Sequence, residues 1–268
     1  MKKTHYGLVI VSLILFCGLG VVRSQSVGGF SKVFPLRVNM PASGMPCAMA
    51  VISLFLQCGG GGCDIQPPNC EAGYAWNFDT CQCEPSSPII IDISGRGFDL
   101  TNRAGGVRFD IAGDGRPVQI AWTASGADNG FLALPGVDGL VHNGKELFGN
   151  FTPQPTSDHR NGFAALAVYD LPENGGNGDG MIDSRDKIFG SLRLWIDANH
   201  DGVCQPEELH TLPPMGGNSI SLSYHASMRR DQYGNLFRYR ASVNPEDPGH
   251  TSSEVGRTAY DVFLTTAN

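Results

Sequence analysis

From residue 89 onward, short apolar runs alternate with glycine-rich turns, a pattern that predicts strands rather than long helices. The run IIIDI at residues 89–93 is apolar and rich in β-branched side chains, as is typical of a buried strand. Further strands of this kind are predicted within residues 106–139, 219–224, 237–243 and 259–265. We therefore expect a β-rich domain over residues 88–268.

Helical signals are confined to two short segments. Ser184 is expected to be the N-cap of a helical turn over residues 184–190, and Pro206 the first residue of a turn over residues 206–209. The sequence Tyr-Gly-Asn at residues 233–235 predicts a turn between the strands at 219–224 and 237–243. The predicted class is α+β, with short helical turns beside a sheet.

An acidic loop at residues 197–208 has the spacing of an EF-hand calcium loop, D-x-N-x-D-G-x-x-x-x-x-E. Alternating oxygen side chains let a curled backbone direct several ligands at one hard cation, and Gly202 takes the sharp turn. The predicted ligands are Asp197, Asn199, Asp201, Val203 through its carbonyl, Gln205 through a water molecule, and Glu208. This set supplies the six to eight oxygens that calcium prefers.

An acidic loop earlier in the chain, at residues 170–186, matches the same pattern less completely. Its first position is Gly175, which has no side-chain oxygen, so Asp170 or Asn174 must supply that ligand across an expanded loop. The predicted ligands are Asp170, Asn177, Asp179, Met181 through its carbonyl, Asp183 and Asp186. The alternative is a solvated acidic turn without metal.

Two earlier stretches look like degenerate copies of these loops. Residues 110–115 keep Asp110 and the Asp114-Gly115 pair, and residues 135–146 keep Asp138, Gly139 and Glu146. Both lack the number of oxygens that calcium needs, so we expect metal-free turns. Their recurrence suggests that one turn geometry is reused along the chain.

The N-terminal segment predicts export. Residues 1–24 combine two lysines, an apolar run and a polar end, as in a secretory signal peptide, with a retained membrane anchor as the alternative. Six cysteines then follow within residues 25–87, at positions 47, 58, 63, 70, 81 and 83. In an exported protein they indicate a small disulfide-rich leader, ending in a linker, whose pairing the sequence leaves open.

The net negative charge and the absence of common catalytic motifs exclude several classes of function. The chain carries 19 basic and 26 acidic residues, which disfavours nucleic acid as a partner and suits cation binding. Sequence motifs of serine hydrolases, zinc proteases and phosphate-binding loops do not occur. Cys204 lies at the inward-facing eighth position of its loop and is expected to be a buried thiol, with a disulfide as the alternative.

The run SPIIIDISGRGFDLTNRAGGVRFDIAGDG, the paired loops GNGDGMIDSRDKIFGSLRLWIDANHDG and the segment RRDQYGNLFRYRASV resemble a family of bacterial secreted proteins of uncharacterised role. Members carry an EF-hand-like or dockerin-like calcium module after a cysteine-bearing leader, and related modules end large calcium-dependent exoproteins. The resemblance implies calcium binding outside the cytoplasm and supplies no activity.

Together these features predict an α+β fold: a β-rich domain with a paired EF-hand-like calcium-loop core, preceded by a small disulfide-rich segment. The expected function is that of a secreted calcium-binding protein, not an enzyme, in which Ca²⁺ stabilises the fold. A dockerin-like protein-interaction module and a glycan-active hydrolase are the alternatives. An extracellular protein or glycan is the further candidate partner, and membrane contact is expected only through an uncleaved signal segment.

Overall fold

The computed structural model describes residues 69–157, 159–244 and 257–266. The predicted signal peptide and the cysteines at positions 47, 58 and 63 lie outside the described residues. Thirteen strands are present in the described part of the chain: β1 Tyr74–Asn77, β2 Gln82–Pro85, β3 Ile89–Asp92, β4 Val107–Phe109, β5 Val118–Ile120, β6 Asn129–Ala133, β7 Met181–Asp183, β8 Arg193–Trp195, β9 Leu209–His210, β10 Ser219–Ser221, β11 His225–Arg230, β12 Leu236–Ser242 and β13 Thr258–Phe263.

A seven-stranded antiparallel sheet organises the fold. Its strand order is β11-β12-β13-β3-β6-β8-β9. The central strand β3 is buried at every position, which explains why its sequence is a continuous apolar run rather than an alternating one. Three two-stranded sheets, β1-β2, β4-β5 and β7-β10, accompany it.

Both faces of the large sheet bury apolar side chains. One face presents Ile90 and Phe131 to a core that also contains Trp122 and Trp195. The other face presents residues such as Leu132 to a separate core. Because side chains alternate along a strand, neighbouring residues of β3 and β6 contribute to different cores.

The expectation of an α+β fold with a paired EF-hand-like core is wrong. In the described residues the single α-helix, α1, is Gly162–Ala167, and it is only six residues long. The segment after Glu208 forms β9 instead of a helix, so the flanking helices that define an EF-hand or a dockerin are not formed there. The fold is β-rich, and the acidic loops connect strands and 3-10 turns.

Several local predictions are confirmed and others are wrong. The strand at 89–93 and the three closing strands exist, and Pro206 begins a 3-10 turn over Pro206–Glu208. Ser184 caps no helix, because the only helical turn nearby is the 3-10 turn Phe189–Ser191. Strand β11 was not predicted, because its exposed and partly basic residues show no alternation of apolar and polar positions. The turn at 233–235 joins β11 to β12.

A disulfide-linked hairpin precedes the main sheet. Strands β1 and β2 pair antiparallel, and the Cys70–Cys83 bond closes this hairpin. Cys81 is also disulfide-bonded. These findings agree with the predicted disulfide framework and resolve one of its pairings. No helix in the described residues is long and apolar enough to cross a membrane.

Candidate metal centre

The second acidic loop, residues 197–208, is closed by its first carboxylate. Asp197 is 1% exposed, and its two oxygens accept hydrogen bonds from the backbone N–H groups of Asp201 at 3.1 Å and Gly202 at 2.8 Å. Gly202 has a φ of +71°, in the left-handed region that glycine adopts at little cost. The positive φ therefore lets the curled loop present two N–H groups to one buried charge.

Two tryptophan side chains bind the ends of this loop from the core. The indole Nε1 of Trp122 donates to Asp197 Oδ2 at 2.7 Å, and that of Trp195 donates to Glu208 Oε2 at 3.1 Å. Both indoles are fully buried, with ring centroids 5.5 Å apart. A buried carboxylate needs donors to offset its lost hydration, and these indoles supply them from a hydrophobic environment.

The last carboxylate of the loop is held in the same manner as the first. Glu208 is 5% exposed, and it accepts from the backbone N–H groups of Ala198 at 3.1 Å and Gln205 at 3.3 Å. These bonds tie the beginning of the loop to its end. Glu208 also completes a capping box with Gln205 at the 3-10 turn Pro206–Glu208.

The remaining predicted ligands of the second loop lie at its surface. The side-chain amides of Asn199 and Gln205 each donate to Asp201 Oδ2 at 3.0 Å. The N–H group of Val203 donates to Asp201 Oδ1 at 2.7 Å. Of the three carboxylates predicted as ligands in this loop, Asp197 and Glu208 are buried and Asp201 is exposed.

The first acidic loop, residues 170–186, is closed by Asp170 and not by Asn174. The carboxylate of Asp170 accepts from the N–H groups of Gly178 and Gly180, each at 2.9 Å. Asn174 instead donates its side-chain N–H to the carbonyl of Val168 at 2.7 Å. Asp170 therefore occupies the place in this loop that Asp197 occupies in the second.

Asp186 repeats the role of Glu208. Its carboxylate is 3% exposed and accepts from the N–H groups of Asn177 at 3.2 Å and Asp183 at 2.8 Å. Within the loop, Asn177 donates to Asp179 Oδ2, and the N–H group of Met181 donates to Asp179 Oδ1. The two loops share this hydrogen-bond pattern despite the insertion in the first.

An arginine distinguishes the first loop. The Nη2 atom of Arg185 lies 2.5 Å from carboxylate oxygens of both Asp179 and Asp183. Hydrogen bonding from this guanidinium holds the pKa of Asp183 below its usual value, against the opposing effect of burial. A fixed positive charge therefore lies among the exposed carboxylates of this loop, whereas the second loop uses neutral amides there.

The shorter stretch at residues 110–115 has the same turn geometry. Asp110 accepts from the N–H groups of Asp114 at 3.1 Å and Gly115 at 2.8 Å, the distances found at Asp197. In the stretch at 135–146, Glu146 accepts from the N–H groups of His142 and Asn143, and it forms a capping box as Glu208 does. The prediction of a reused turn is therefore confirmed for residues 110–115, whereas residues 135–146 share only the capping carboxylate.

The two acidic loops do not pair with each other. Ile182, at the eighth position of the first loop, pairs with Ile220 of β10, and it belongs to a different core from Cys204, at the eighth position of the second. Cys204 is a buried free thiol, as predicted, and burial raises its pKa. The alternative of a disulfide from Cys204 to another cysteine of the same chain is wrong.

Acceptor capacity provides a test of whether a cation fits these loops. No group of three or more His, Cys, Asp or Glu side chains in the described residues is placed to hold a metal ion. An ionised carboxylate has about four lone-pair positions. The three N–H donors on Asp197 or on Glu208 leave one position free, whereas Asp170 and Asp186 have two donors each and leave two. The buried carboxylates of both loops therefore retain acceptor capacity for a hard cation.

Sequence reasoning missed Trp122, Trp195 and Arg185. Trp195 stands two residues before Asp197, and Arg185 lies inside the first loop, so their proximity was visible in the sequence. Trp122 lies 75 residues before Asp197, and only the fold brings it to the loop.

Comparison with known proteins defines the class. Residues 89–259 match the SPM domain family, and they are more than half of the chain, so the chain belongs to this family. The match contains the two acidic loops and most of the seven-stranded sheet.

A bacterial protein matches more than half of the chain. The chain is 34% identical over 165 residues to the iron-regulated protein FrpA of Neisseria meningitidis serogroup C. The alignment covers 60% of this chain and 14% of that protein. The chain thus corresponds to a small part of a much longer relative.

Proposed function

We propose that this chain is an exported calcium-binding protein in which the ion stabilises the fold and the role is binding or structural rather than catalytic. The observation that carries the proposal is the recurrence of one hydrogen-bond pattern in two acidic loops. In each loop, backbone N–H groups orient a first and a last carboxylate that are both largely buried.

The donor set suits calcium chemically. Carboxylate, amide and carbonyl oxygens are the ligands of hard cations, whereas zinc prefers thiolates and imidazoles. The second loop contains one of each, but Cys204 is buried in the core and both ring nitrogens of His200 lie 2.7 Å from carbonyl oxygens, of Thr123 and Gly105. The second loop would hold the ion through Asp197, Asn199, Asp201, Val203, Gln205 and Glu208. The first would hold it through Asp170, Asn177, Asp179, Met181, Asp183 and Asp186.

A stabilising role follows from how the second loop is attached to the core. A cation between its buried carboxylates would offset the repulsion between like charges and fix residues that already contact the buried tryptophans. Because the unfolded chain has no preformed site, the binding free energy adds to the free energy of unfolding. A calcium concentration 100 times the dissociation constant adds about 2.7 kcal/mol.

The test is calorimetric titration of the exported chain with calcium, using magnesium as the comparison ion. We expect Asp170→Asn and Asp197→Asn each to remove one site, while Asp110→Asn leaves the stoichiometry unchanged. Asp110 is a matched control because it makes the same backbone hydrogen bonds as Asp197 in a turn without a full ligand set.

Thermal unfolding in calcium and in EDTA provides the second readout. We expect a clearly lower melting temperature after chelation. An unchanged melting temperature together with no heat of calcium binding would refute the proposal.

A further inference from the structure

A cavity of about 340 Å³ lies between the disulfide-linked hairpin and the ends of β12 and β13, away from the acidic loops. Its apolar lining includes the side chains of Leu236, Phe263 and Leu264, and Tyr74 of the hairpin adds an aromatic ring. The volume is within the range of small-molecule sites, about 300–1,000 Å³. A ligand body the size of one ring fits this space.

Two arginine side chains give the cavity its charge. Arg230 donates from Nη1 to the carbonyl of Gly234 at 2.8 Å, which fixes its position at the rim. The guanidinium carbon of Arg238 lies 5.3 Å from the ring centroid of Phe263 and 5.4 Å from that of Tyr239. In the described residues, neither arginine forms an ion pair with a carboxylate.

Two arginines and one carboxylate, Glu84, line the cavity, so its lining keeps a net positive charge. Glu84 also lines the cavity, but its oxygens accept from Asn77 Nδ2 at 3.0 Å and Thr80 Oγ1 at 2.7 Å within the hairpin. Asp261 lies behind Arg238 in β13, where burial raises its pKa to about 7. The carboxyl that interacts electrostatically with Arg238 is thus held partly neutral near physiological pH.

We propose that this cavity binds a small organic carboxylate with a ring-shaped apolar body. The carboxylate pairs with the guanidinium groups of Arg230 and Arg238, which donate in a fork that matches its two oxygens. The ring packs against Phe263 and Leu236. A planar guanidinium that already stacks on aromatic rings loses little side-chain freedom on binding. This site does not depend on the calcium loops.

The experiment is calorimetric titration of the exported chain with 3-phenylpropionate. The neutral amide 3-phenylpropionamide tests the need for the negative charge, and acetate tests the need for the ring. We expect saturable binding of 3-phenylpropionate and at least about tenfold weaker binding of both comparison ligands, because a charge-assisted pair and the apolar contacts each contribute at this level.

Variants test which arginines are involved. Arg238→Gln and Arg230→Gln are each expected to weaken 3-phenylpropionate binding at least about tenfold. Arg240→Gln is the matched control, because Arg240 is an exposed arginine of the same strand that does not line the cavity. Thermal melting checks that each variant is folded, and Arg230→Gln is informative even if Arg238→Gln fails to fold, since Arg230 is exposed.

The proposal is overturned if 3-phenylpropionate gives no saturable binding, or if the neutral amide binds equally well. It is also overturned if Arg240→Gln weakens binding as much as Arg230→Gln does, because the effect is then one of overall charge.

Discussion

The indole N–H group of Trp122 donates a hydrogen bond to Asp197 Oδ2 over 2.7 Å, although the two residues are 75 positions apart in the chain. This bond joins the first carboxylate of an acidic loop to the centre of an aromatic core. In this core the ring centroids of Phe109, Phe131 and Trp195 lie 4.3–5.5 Å from that of Trp122. A substitution in the aromatic core is therefore expected to change how strongly the loop stabilises the fold, and a substitution in the loop to change the stability of the core.

The first prediction concerns this bond. Trp122→Phe should lower the free energy of unfolding by about 1–3 kcal/mol from the lost hydrogen bond to a charged group, with an added cost from the cavity. Urea unfolding of Trp122→Phe, Asp197→Asn and the double variant separates the two effects. We expect a coupling energy of about 1 kcal/mol between Trp122 and Asp197. If the changes in the free energy of unfolding of the two single variants simply add in the double variant, the contact contributes little.

The second prediction concerns Arg185. Replacing it with glutamine removes the guanidinium that contacts Asp179 and Asp183. If the first loop binds calcium, Arg185→Gln should tighten that site by up to about fivefold, the range of an exposed ion pair. Arg96→Gln controls for net charge, since Arg96 pairs with Asp128 outside both loops. Equal tightening in both variants would exclude direct competition.

The third prediction concerns the pH dependence of stability through Asp261. The carboxyl is fully buried; Oδ2 accepts from Gly162 N at 3.1 Å, and Oδ1 has no hydrogen-bond partner. Burial raises its pKa from 3.8 to about 7, with smaller opposing contributions from Ser87, Gly162 and Arg238. The folded protein therefore holds this proton more tightly than the unfolded chain does. The stability that Asp261 contributes should fall as pH rises between these values.

Asp261→Asn removes the titration while keeping a neutral acceptor. The free energies of unfolding of variant and wild type should diverge by on the order of 2–4 kcal/mol between about pH 5 and about pH 8, with the variant gaining relative stability at the higher pH. Asp128→Asn, at a half-buried surface position, serves as the control. Parallel stability curves for Asp261→Asn and the wild type would contradict the assigned pKa shift.

The fourth prediction concerns the close packing of the first loop. A Cβ atom on Gly176 would lie 2.2 Å from the backbone carbonyl of Asp170. Gly176→Ala should therefore displace the backbone of Asp170 and destabilise the protein by about 1–3 kcal/mol. Gly190→Ala is the control because its added Cβ meets no atom within 4 Å. Similar unfolding midpoints for the two variants would show that the loop tolerates the displacement.

Local sequence patterns predicted much of the fold and of the candidate site. The apolar run of β3 and the turn chemistry around Gly202 depend on side chains a few residues apart, so the strand and the curled loop could be read directly. The sequence favoured Asp170 over Asn174 in the first loop, but the spacing alone did not decide between them, because the outcome depends on where the backbone of residues 170–178 places each side chain.

By itself, the sequence determined that the chain is β-rich, that acidic loops with EF-hand-type spacing recur in it, and that Cys204 is a buried thiol. Only the tertiary structure decided that the strands β8 and β9, rather than helices, flank the second loop, that Ile182 and Cys204 enter different cores, and that Trp122 reaches Asp197. The physical reason is the distance along the chain between interacting residues. A loop spacing encodes only the hydrogen bonds within its own turn, whereas partners from distant strands are set by how the whole sheet pairs and buries its two faces.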